Sequence, residues 1–194
     1  MSTAPTRRIS PEEYLAQERR AEFKSEYLRG EVLAMARANY AHNVIKVNLA
    51  GEAGNQLEGR PYRVLTSDMR VKINATESYT YPDIAIVCDK PQFEDEVFDT
   101  LLNPRAVVEA LSDSTEKYDR GAKFGHYRQV PSLQEYVLVA QDRPLVERYV
   151  RQADGSWLLT VFEGPSSTFA FTSIPVRIPL SEIYGGVEFP EHAK

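Results

Sequence analysis

The chain has 194 residues, of which 42% are apolar and 26% are charged, and its formal net charge is −5. This composition is typical of a globular domain with a sizeable core, and it excludes a protein with a uniformly basic surface. The single cysteine, Cys88, excludes a disulfide framework and a cysteine-rich zinc site. No apolar run approaches the ~18 residues of a membrane span. No apolar signal segment follows the basic residues near the N-terminus. We therefore expect a cytoplasmic protein without a membrane partner.

The first third of the chain predicts a short helix, a hairpin and a long helix. Ser10, which precedes Pro-Glu-Glu, is a candidate helix N-cap. Residues 25–35 form two short extended runs around Arg29-Gly30, which is typical of a β-hairpin. Residues 39–58 carry apolar side chains at helical spacing, including Val44, Ile45, Val47 and Leu49, and predict the longest helix.

Three residues of this region are auxiliary site candidates. Glu26 and Glu31 flank the hairpin turn. Polar hairpin positions are usually solvated, and the alternative is that one of them faces the site and helps to bind metal or water. His42 lies in the first turn of the long helix, where a lone histidine is more often structural than a ligand. The chain has only three histidines, which argues against a multi-histidine metal site.

The remaining apolar runs predict an α/β centre and a β-rich tail. Strands are expected at residues 61–73 (one or two strands), 81–88, 104–111 and 135–140, and a helix at 119–129. In the tail we expect a hairpin (145–152 with 156–162), one extended piece (168–178) and a short helical turn (179–184). The prediction is a single domain of the α/β (α+β) class, with a mixed central β-sheet flanked by helices. The core would cover about 10–141, and an antiparallel C-terminal β extension about 142–190.

Two carboxylates stand in the apolar runs of the predicted core. Asp83 follows Pro82 and begins the regular apolar run, which continues through residues 84–88. Glu109 lies in the run 104–111. Burying a carboxylate costs several kcal/mol unless a charge or a metal compensates it. If the two strands are neighbours, both acids can converge on Mg²⁺, which needs few protein oxygens and keeps several waters. The backbone carbonyl of Ala110 is a natural third ligand.

A basic segment follows the second acid. Lys123, Arg120 and Tyr127 lie at helical spacing on one predicted face. Four basic residues and a single acid lie between positions 117 and 128, and this local positive charge fits a phosphate-bearing substrate. Lys123 is the candidate cation near an attacked phosphate, with Arg120 as a second phosphate contact. The hydroxyl of Tyr127 is expected to lie near the site.

Six short motifs are specific for one protein family when their order and spacing are taken together. They are Glu-Tyr-Leu-Arg-Gly-Glu (26–31), His42, Pro-Asp-Ile (82–84), Val-Val-Glu-Ala-Leu-Ser-Asp-Ser-Thr (107–115), Tyr-Asp-Arg-Gly-Ala-Lys (118–123) and Tyr-Arg (127–128). Over roughly residues 10–139 the sequence resembles the Uma2 family of endonucleases, within the PD-(D/E)xK nuclease superfamily. The resemblance implies a restriction-endonuclease-like core, magnesium, and phosphodiester hydrolysis. It implies that Asp83 and Glu109 are metal ligands and that Lys123 is the catalytic lysine. The superfamily pattern places its lysine at the position of Leu111, so the resemblance implies that the lysine has moved to the following helix.

Other interpretations of these residues remain open at this stage. Asp83 could be a strand-end acid bonded to backbone amides, Glu109 could pair with Arg105 or Lys123, and Lys123 could be a solvated helix residue. The favoured function is a Mg²⁺-dependent endonuclease acting on DNA, in which Mn²⁺ can substitute. The alternative is a catalytically weak homologue that binds nucleic acid or a protein partner. A homodimer is expected, with the tail at 145–178 as its interface.

Overall fold

The fold consists of two β-sheets, a small hairpin sheet, one long helix and several short helices, in a computed structural model that describes residues 8–35, 38–112 and 114–189. The helices are α1 (Pro11–Glu18), α2 (Tyr40–Leu57), α3 (Glu116–Tyr118), α4 (Phe124–Tyr127) and α5 (Leu180–Ile183), and a π-helical turn (Asp119–Lys123) joins α3 to α4. The strands are β1 (Ser25–Leu28), β2 (Glu31–Ala34), β3 (Tyr62–Thr66), β4 (Arg70–Ile73), β5 (Ser78–Thr80), β6 (Ile84–Cys88), β7 (Thr100–Leu101), β8 (Ala106–Ala110), β9 (Glu135–Val139), β10 (Leu145–Arg151), β11 (Trp157–Glu163), β12 (Thr168–Ala170) and β13 (Arg177–Pro179). A 3₁₀ turn (Asn74–Thr76) joins β4 to β5.

The central sheet has six strands in the order β11-β10-β9-β8-β6-β3. Strands β8 and β9 are parallel and the other neighbours are antiparallel, so the sheet is mixed, as predicted. The C-terminal hairpin continues this sheet because β10 pairs with β9 from Val146↔Val139 to Val150↔Glu135. The predicted α+β class and the expected extension of the sheet are both confirmed.

The second sheet has five strands in the order β2-β1-β5-β4-β7. The predicted hairpin forms its edge, and its turn places Arg29 and Gly30 at φ values of 49° and 97°. Positive φ at both central residues is the geometry that matches the twist of a two-residue hairpin. Val71 and Ile73 of β4 share one apolar cluster with Ala85 of β6, so this sheet packs on one face of the central sheet.

The opposite face of the central sheet is covered by α2 and the C-terminal elements. Asn39 caps α2 by accepting a hydrogen bond from the His42 N–H at 2.9 Å. The buried stripe of α2 is Ile45, Leu49, Ala53 and Leu57. Val47, which was predicted to belong to this stripe, is 66% exposed.

Two boundaries differ from the sequence prediction. The piece predicted as one extended segment at 168–178 is instead the hairpin of β12 and β13, paired from Thr168↔Pro179 to Ala170↔Arg177. The predicted helix at 119–129 begins earlier, at Glu116, and contains the π-helical turn. Within the described residues, no helix combines the length and apolarity needed to cross a membrane.

Candidate functional site

Asp83 and Glu109 lie opposite each other on neighbouring antiparallel strands. The pairing of β6 with β8 runs through Ala85↔Val107 and Ile84↔Val108. One further step in this register brings Asp83 opposite Glu109. The Asp83 N–H donates to Glu109 Oε2 at 3.4 Å, which shows how close the two residues are. The condition set by the sequence, that the two acid-bearing strands are neighbours, is met.

Side chains alternate between the two faces of β8, and this alternation places Glu109 in an apolar environment. Val107 and Leu111 belong to the apolar cluster beneath the second sheet, and Glu109 shares their face of the strand. Its side chain is 4% exposed. Burial raises the pKa of Glu109 well above its ordinary value, and Lys123 only partly offsets this effect. The site therefore contains a carboxylate that is costly to ionise without a nearby cation.

Lys123 points into the site from the π-helical turn. Its ammonium nitrogen lies 3.0 Å from Glu109 Oε1, 3.1 Å from Glu26 Oε1 and 3.6 Å from Asp119 Oδ1. Burial alone would lower the pKa of Lys123, but the surrounding carboxylates, Glu109 first, outweigh it and hold the pKa well above its ordinary value. The lysine is therefore a buried ammonium. The ion pair considered for Glu109 is present, and its partner is Lys123.

Asp119 is a further acid of this cluster. It begins the π-helical turn, and its side chain is 5% exposed. Burial raises the pKa of Asp119, as it does for Glu109. In the sequence, Asp119 stands out only as the single acid among four basic residues. A π turn adds one residue to the helical turn and is often found at functional sites, and nothing in the sequence marks it.

Glu26 belongs to the site, whereas Glu31 does not. Glu26 accepts hydrogen bonds from the Tyr81 N–H and the Tyr118 hydroxyl, both at 3.1 Å, and its side chain is 7% exposed. The expectation that polar hairpin positions are solvated is wrong for Glu26, because β1 is covered on both faces, with Glu26 and the oppositely directed Tyr27 both buried. Glu31 is exposed and lies 3.8 Å from Arg8.

His42 contacts the site through Asp83. Its Nε2 lies 2.8 Å from Asp83 Oδ1, and the other carboxylate oxygen of Asp83 accepts the Ala110 N–H at 2.9 Å. His42 is placed there by the Asn39 cap at the start of α2. Among the described residues, its buried Nδ1 has no hydrogen-bond partner. The histidine that the sequence favoured as structural therefore touches a candidate metal ligand.

Two other candidates lie near the cluster without entering it. Arg120 pairs with Glu116 at 2.7 Å and also with Glu147, and it does not line the cleft described below. Tyr127 is fully buried, and its hydroxyl accepts a hydrogen bond from Thr80 at 2.8 Å. Glu109 and Lys123 both influence the raised pKa of Tyr127, although burial is the main cause.

These side chains line one cleft of about 570 Å³. Its floor holds Glu26, Asp83, Glu109 and Lys123, and Ala110 also lines it. Towards the mouth stand Phe23, which is 73% exposed, and the two basic residues Lys24 and Lys46. Both lysines contact Ser67, Lys24 through the carbonyl at 2.8 Å and Lys46 through the hydroxyl at 3.2 Å. The cleft therefore combines an acidic floor with a basic and aromatic rim.

The donor set suits a hard divalent cation. No three His, Cys, Asp or Glu side chains in the described ranges are arranged as a ready-made metal site. Mg²⁺ needs fewer, because it is bound through one or two carboxylates and keeps its waters. Glu26, Glu109 and Asp119 surround the single ammonium of Lys123, so three acids share one cation. Glu109 Oε1 is also buried without a well-oriented hydrogen bond among the described residues. A cation in this cleft would relieve both features.

Comparisons with known proteins identify relatives along almost the whole chain. The family model described as "Uma2: Putative restriction endonuclease" matches residues 11–178. "Uncharacterized protein sll1609" of Synechocystis sp. is 36% identical over 176 residues, which cover 91% of this chain and 99% of that protein. "Uncharacterized protein slr1290" of the same organism is 37% identical over 187 residues, which cover 96% and 97%.

A solved structure shares the fold. It is described as a "putative nuclease belonging to DUF820 from Anabaena variabilis ATCC 29413", and it aligns with a TM-score of 0.75 over 91% of this chain and 97% of that chain. The sequence identity is 19%, so this likeness concerns the fold alone. The α+β architecture described above is thus one that a nuclease-like protein also adopts.

Proposed function

The chain belongs to the Uma2 family, and on that premise we propose that it is a metal-dependent endonuclease that hydrolyses DNA phosphodiester bonds. Family membership supports a nuclease in general. The metal, the substrate and the residue roles are our proposal. The observation that carries it is the placement of Asp83 opposite Glu109, with the ammonium of Lys123 3.0 Å from Glu109 in the same cleft.

The carboxylates of Asp83 and Glu109, together with the Ala110 carbonyl, would hold Mg²⁺, and Mn²⁺ could replace it. When bound, such an ion polarises the phosphodiester and lowers the pKa of a water molecule. His42 holds one oxygen of Asp83 and the Ala110 N–H holds the other. These bonds fix the direction of the Asp83 carboxylate before any ion arrives, which reduces the reorganisation needed at binding.

Lys123 acts in this proposal as a proton-bearing cation. Because its pKa is held well above the ordinary value, its amine does not accept a proton near neutral pH. Its role is to donate hydrogen bonds to the attacking water or to the phosphate oxygens. A fixed donor of this kind stabilises the negative charge that develops on the phosphate in the transition state. Glu26 and Asp119 hold the ammonium in the site between reactions.

The rim of the cleft would guide the nucleic acid. Lys46 offers an ammonium group for a backbone phosphate, Lys24 offers a second one that is paired with the exposed Asp68 at 2.6 Å, and Phe23 offers an exposed ring on which a base can stack. The net charge of −5 makes such local recognition necessary, because the molecule as a whole repels a polyanion. Arg120 is not part of this path, because it does not line the cleft.

Relaxation of supercoiled plasmid DNA tests the proposal. With Mg²⁺ or Mn²⁺, the wild type is expected to convert supercoiled plasmid to nicked or linear forms, and EDTA is expected to stop the reaction. Asp83→Asn and Glu109→Gln should each be slower by at least about 100-fold, the loss typical of removing one strong electrostatic contribution. Glu31→Gln removes an exposed acid and is the matched control. Equal activity of Asp83→Asn and the wild type would reject the metal site. A wild type that binds DNA without cutting it would favour a binding module instead.

A further inference from the structure

One edge of the central sheet is open. Within the described residues, β11 pairs with β10 alone, which leaves its other edge without a neighbour. This strand of seven residues contains no proline, glycine or lysine, and it exposes Leu158, Leu159 and Val161 by 57%, 44% and 48%. Soluble proteins usually protect a long apolar edge with charge, proline or a bulge, because it would otherwise pair with another strand.

The backbone hydrogen bonds show which groups face the open edge. The Gln152 N–H donates to the Ser156 carbonyl at 2.8 Å, and the Gly164 N–H donates to the Pro144 carbonyl at 2.9 Å. Both pairs belong to the register that joins Arg148 to Thr160, so the even-numbered residues of β11 make the hydrogen bonds to β10. The N–H and C=O groups of the odd-numbered residues 157, 159, 161 and 163 therefore point away from β10.

We propose that this open edge binds the same strand of a second copy of the chain, antiparallel and centred on Thr160, so that the central sheet continues through a two-fold homodimer. When two identical strand edges pair antiparallel, each free N–H meets a free C=O of the partner and each free C=O meets a free N–H. The register centred on Thr160 pairs all seven residues of β11. It places the odd-numbered residues of both copies opposite each other, with their free backbone groups facing.

The side chains also complement each other in this register. Leu159 lies opposite the partner's Val161, and Leu158 lies opposite the partner's Phe162, so apolar side chains face apolar side chains on both faces. Thr160 lies opposite the partner's Thr160. The only charge of β11, Glu163, lies opposite the partner's Trp157.

Arg151 supplies a cation near the position that the partner's Glu163 takes in this register. The guanidinium of Arg151 lies 4.8 Å from the centre of the Trp157 ring, and Arg151 is the β10 residue that pairs with Trp157. The carboxylate of Glu163 would therefore approach a ring that carries a cation on its other side. No like charges meet within the paired strands.

Sedimentation velocity at micromolar concentration tests the interface. The wild type is expected to sediment as a dimer of about 44 kDa, twice the 22.0 kDa of the chain. Val161→Lys places an ammonium opposite the partner's apolar Leu159 and should weaken dimerisation by at least about 100-fold, because burying an unpaired charge is strongly unfavourable and a lysine on an edge strand opposes strand pairing. Val47→Lys, at a valine that is 66% exposed on α2, is the matched control and should remain dimeric. A monomeric wild type, or a dimer that Val161→Lys leaves intact, overturns the proposal.

Disulfide trapping tests the register without relying on a destabilised variant. In a Cys88→Ser background the chain has no other cysteine. Thr160→Cys would face its own copy at a non-hydrogen-bonded position, where Cα atoms lie about 4.5 Å apart and a disulfide can form. It should cross-link on mild oxidation, whereas Leu158→Cys, which faces the partner's Phe162, should not. Equal cross-linking of both variants, or of neither, rejects the register.

Discussion

Replacing Lys123 by methionine tests whether its ammonium is a necessary part of the site. Methionine keeps an unbranched side chain of similar length and removes the charge. In the wild type the ammonium lies within 3.6 Å of three buried carboxylates, Glu26, Glu109 and Asp119. Their side chains are 7%, 4% and 5% exposed, so water cannot replace the lost cation.

The size of the effect follows from that burial. Removing one partner of a buried ion pair costs about 3–5 kcal/mol, because the remaining charge is left uncompensated. In a chain of this size 1 kcal/mol shifts Tm by about 2–4 °C, so Lys123→Met should lower Tm by roughly 6–20 °C at pH 8. Cleavage of plasmid DNA should fall by at least about 100-fold in the same variant.

The loss of Tm in Lys123→Met should depend on pH in a definite direction. The folded-state pKa of Lys123 is raised, so its contribution to stability is fully present below its unfolded pKa and is not lost between pH 5 and pH 8. In the variant, Glu109 and Asp119 can relieve the missing cation only by binding protons. The deficit in Tm should therefore shrink as the pH falls from 8 to 5.

Thermal unfolding followed by circular dichroism measures the loss of Tm at pH 8 and its change between pH 8 and pH 5. Lys117→Met is the matched control, because Lys117 is exposed in the neighbouring helix α3 and its loss should not change Tm. If Lys123→Met unfolds within about 2 °C of the wild type at pH 8, the buried ammonium is not holding the carboxylates and the electrostatic reasoning fails.

Three further outcomes are expected. Glu26→Gln should lower stability by about 1–3 kcal/mol, because a charged acceptor of two hydrogen bonds and of Lys123 becomes neutral, while Glu31→Gln should leave it unchanged; urea denaturation compares them. For the wild type without divalent ions, the raised pKa of Glu109 means that the folded state binds the proton more tightly than the unfolded state. The contribution of Glu109 to stability should therefore decline above pH 5, because the unfolded state releases that proton while the folded state keeps it. A free energy of unfolding that rises from pH 5 to pH 8 more steeply in the wild type than in Glu109→Gln would contradict this sign. Phe23→Ala should weaken binding of single-stranded DNA by about 1–3 kcal/mol in fluorescence anisotropy, and unchanged affinity would remove Phe23 from the DNA path.

The sequence was most informative where an acid interrupts an apolar strand. Glu109 in Val-Val-Glu-Ala-Leu could be recognised as a buried charge because its neighbours on both sides are apolar. Pro82 marked Asp83 as an acid at the start of the apolar run, and β6 begins one residue later, at Ile84. Lys123 was found by its position on the helix after the second acid. Its direction into the core could not be known without the packing of that helix.

The sequence left Glu26 with two interpretations and did not indicate Asp119, for different physical reasons. A hairpin strand usually has one solvated face, but β1 is covered on both, because the adjacent Glu26 and Tyr27 point to opposite faces and are both buried. The short run around Glu26 does not reveal this second cover. Asp119 depends on the π-helical turn, since an uninterrupted α-helix would have carried Asp119 and Lys123 in a different direction relative to α4. The hairpin of β12 and β13 was missed because Thr168–Ala170 and Arg177–Pro179 are too short to show alternation.

Anomalous diffraction from crystals soaked in Mn²⁺ tests the central claim most directly, because it locates the ion independently of activity. We expect one anomalous peak in the cleft, from a Mn²⁺ ion bound by the carboxylates of Asp83 and Glu109. This peak should be absent in crystals of Asp83→Asn. A Mn²⁺ ion found only outside the cleft, or no anomalous peak in the cleft at saturating Mn²⁺, would contradict the proposed metal site.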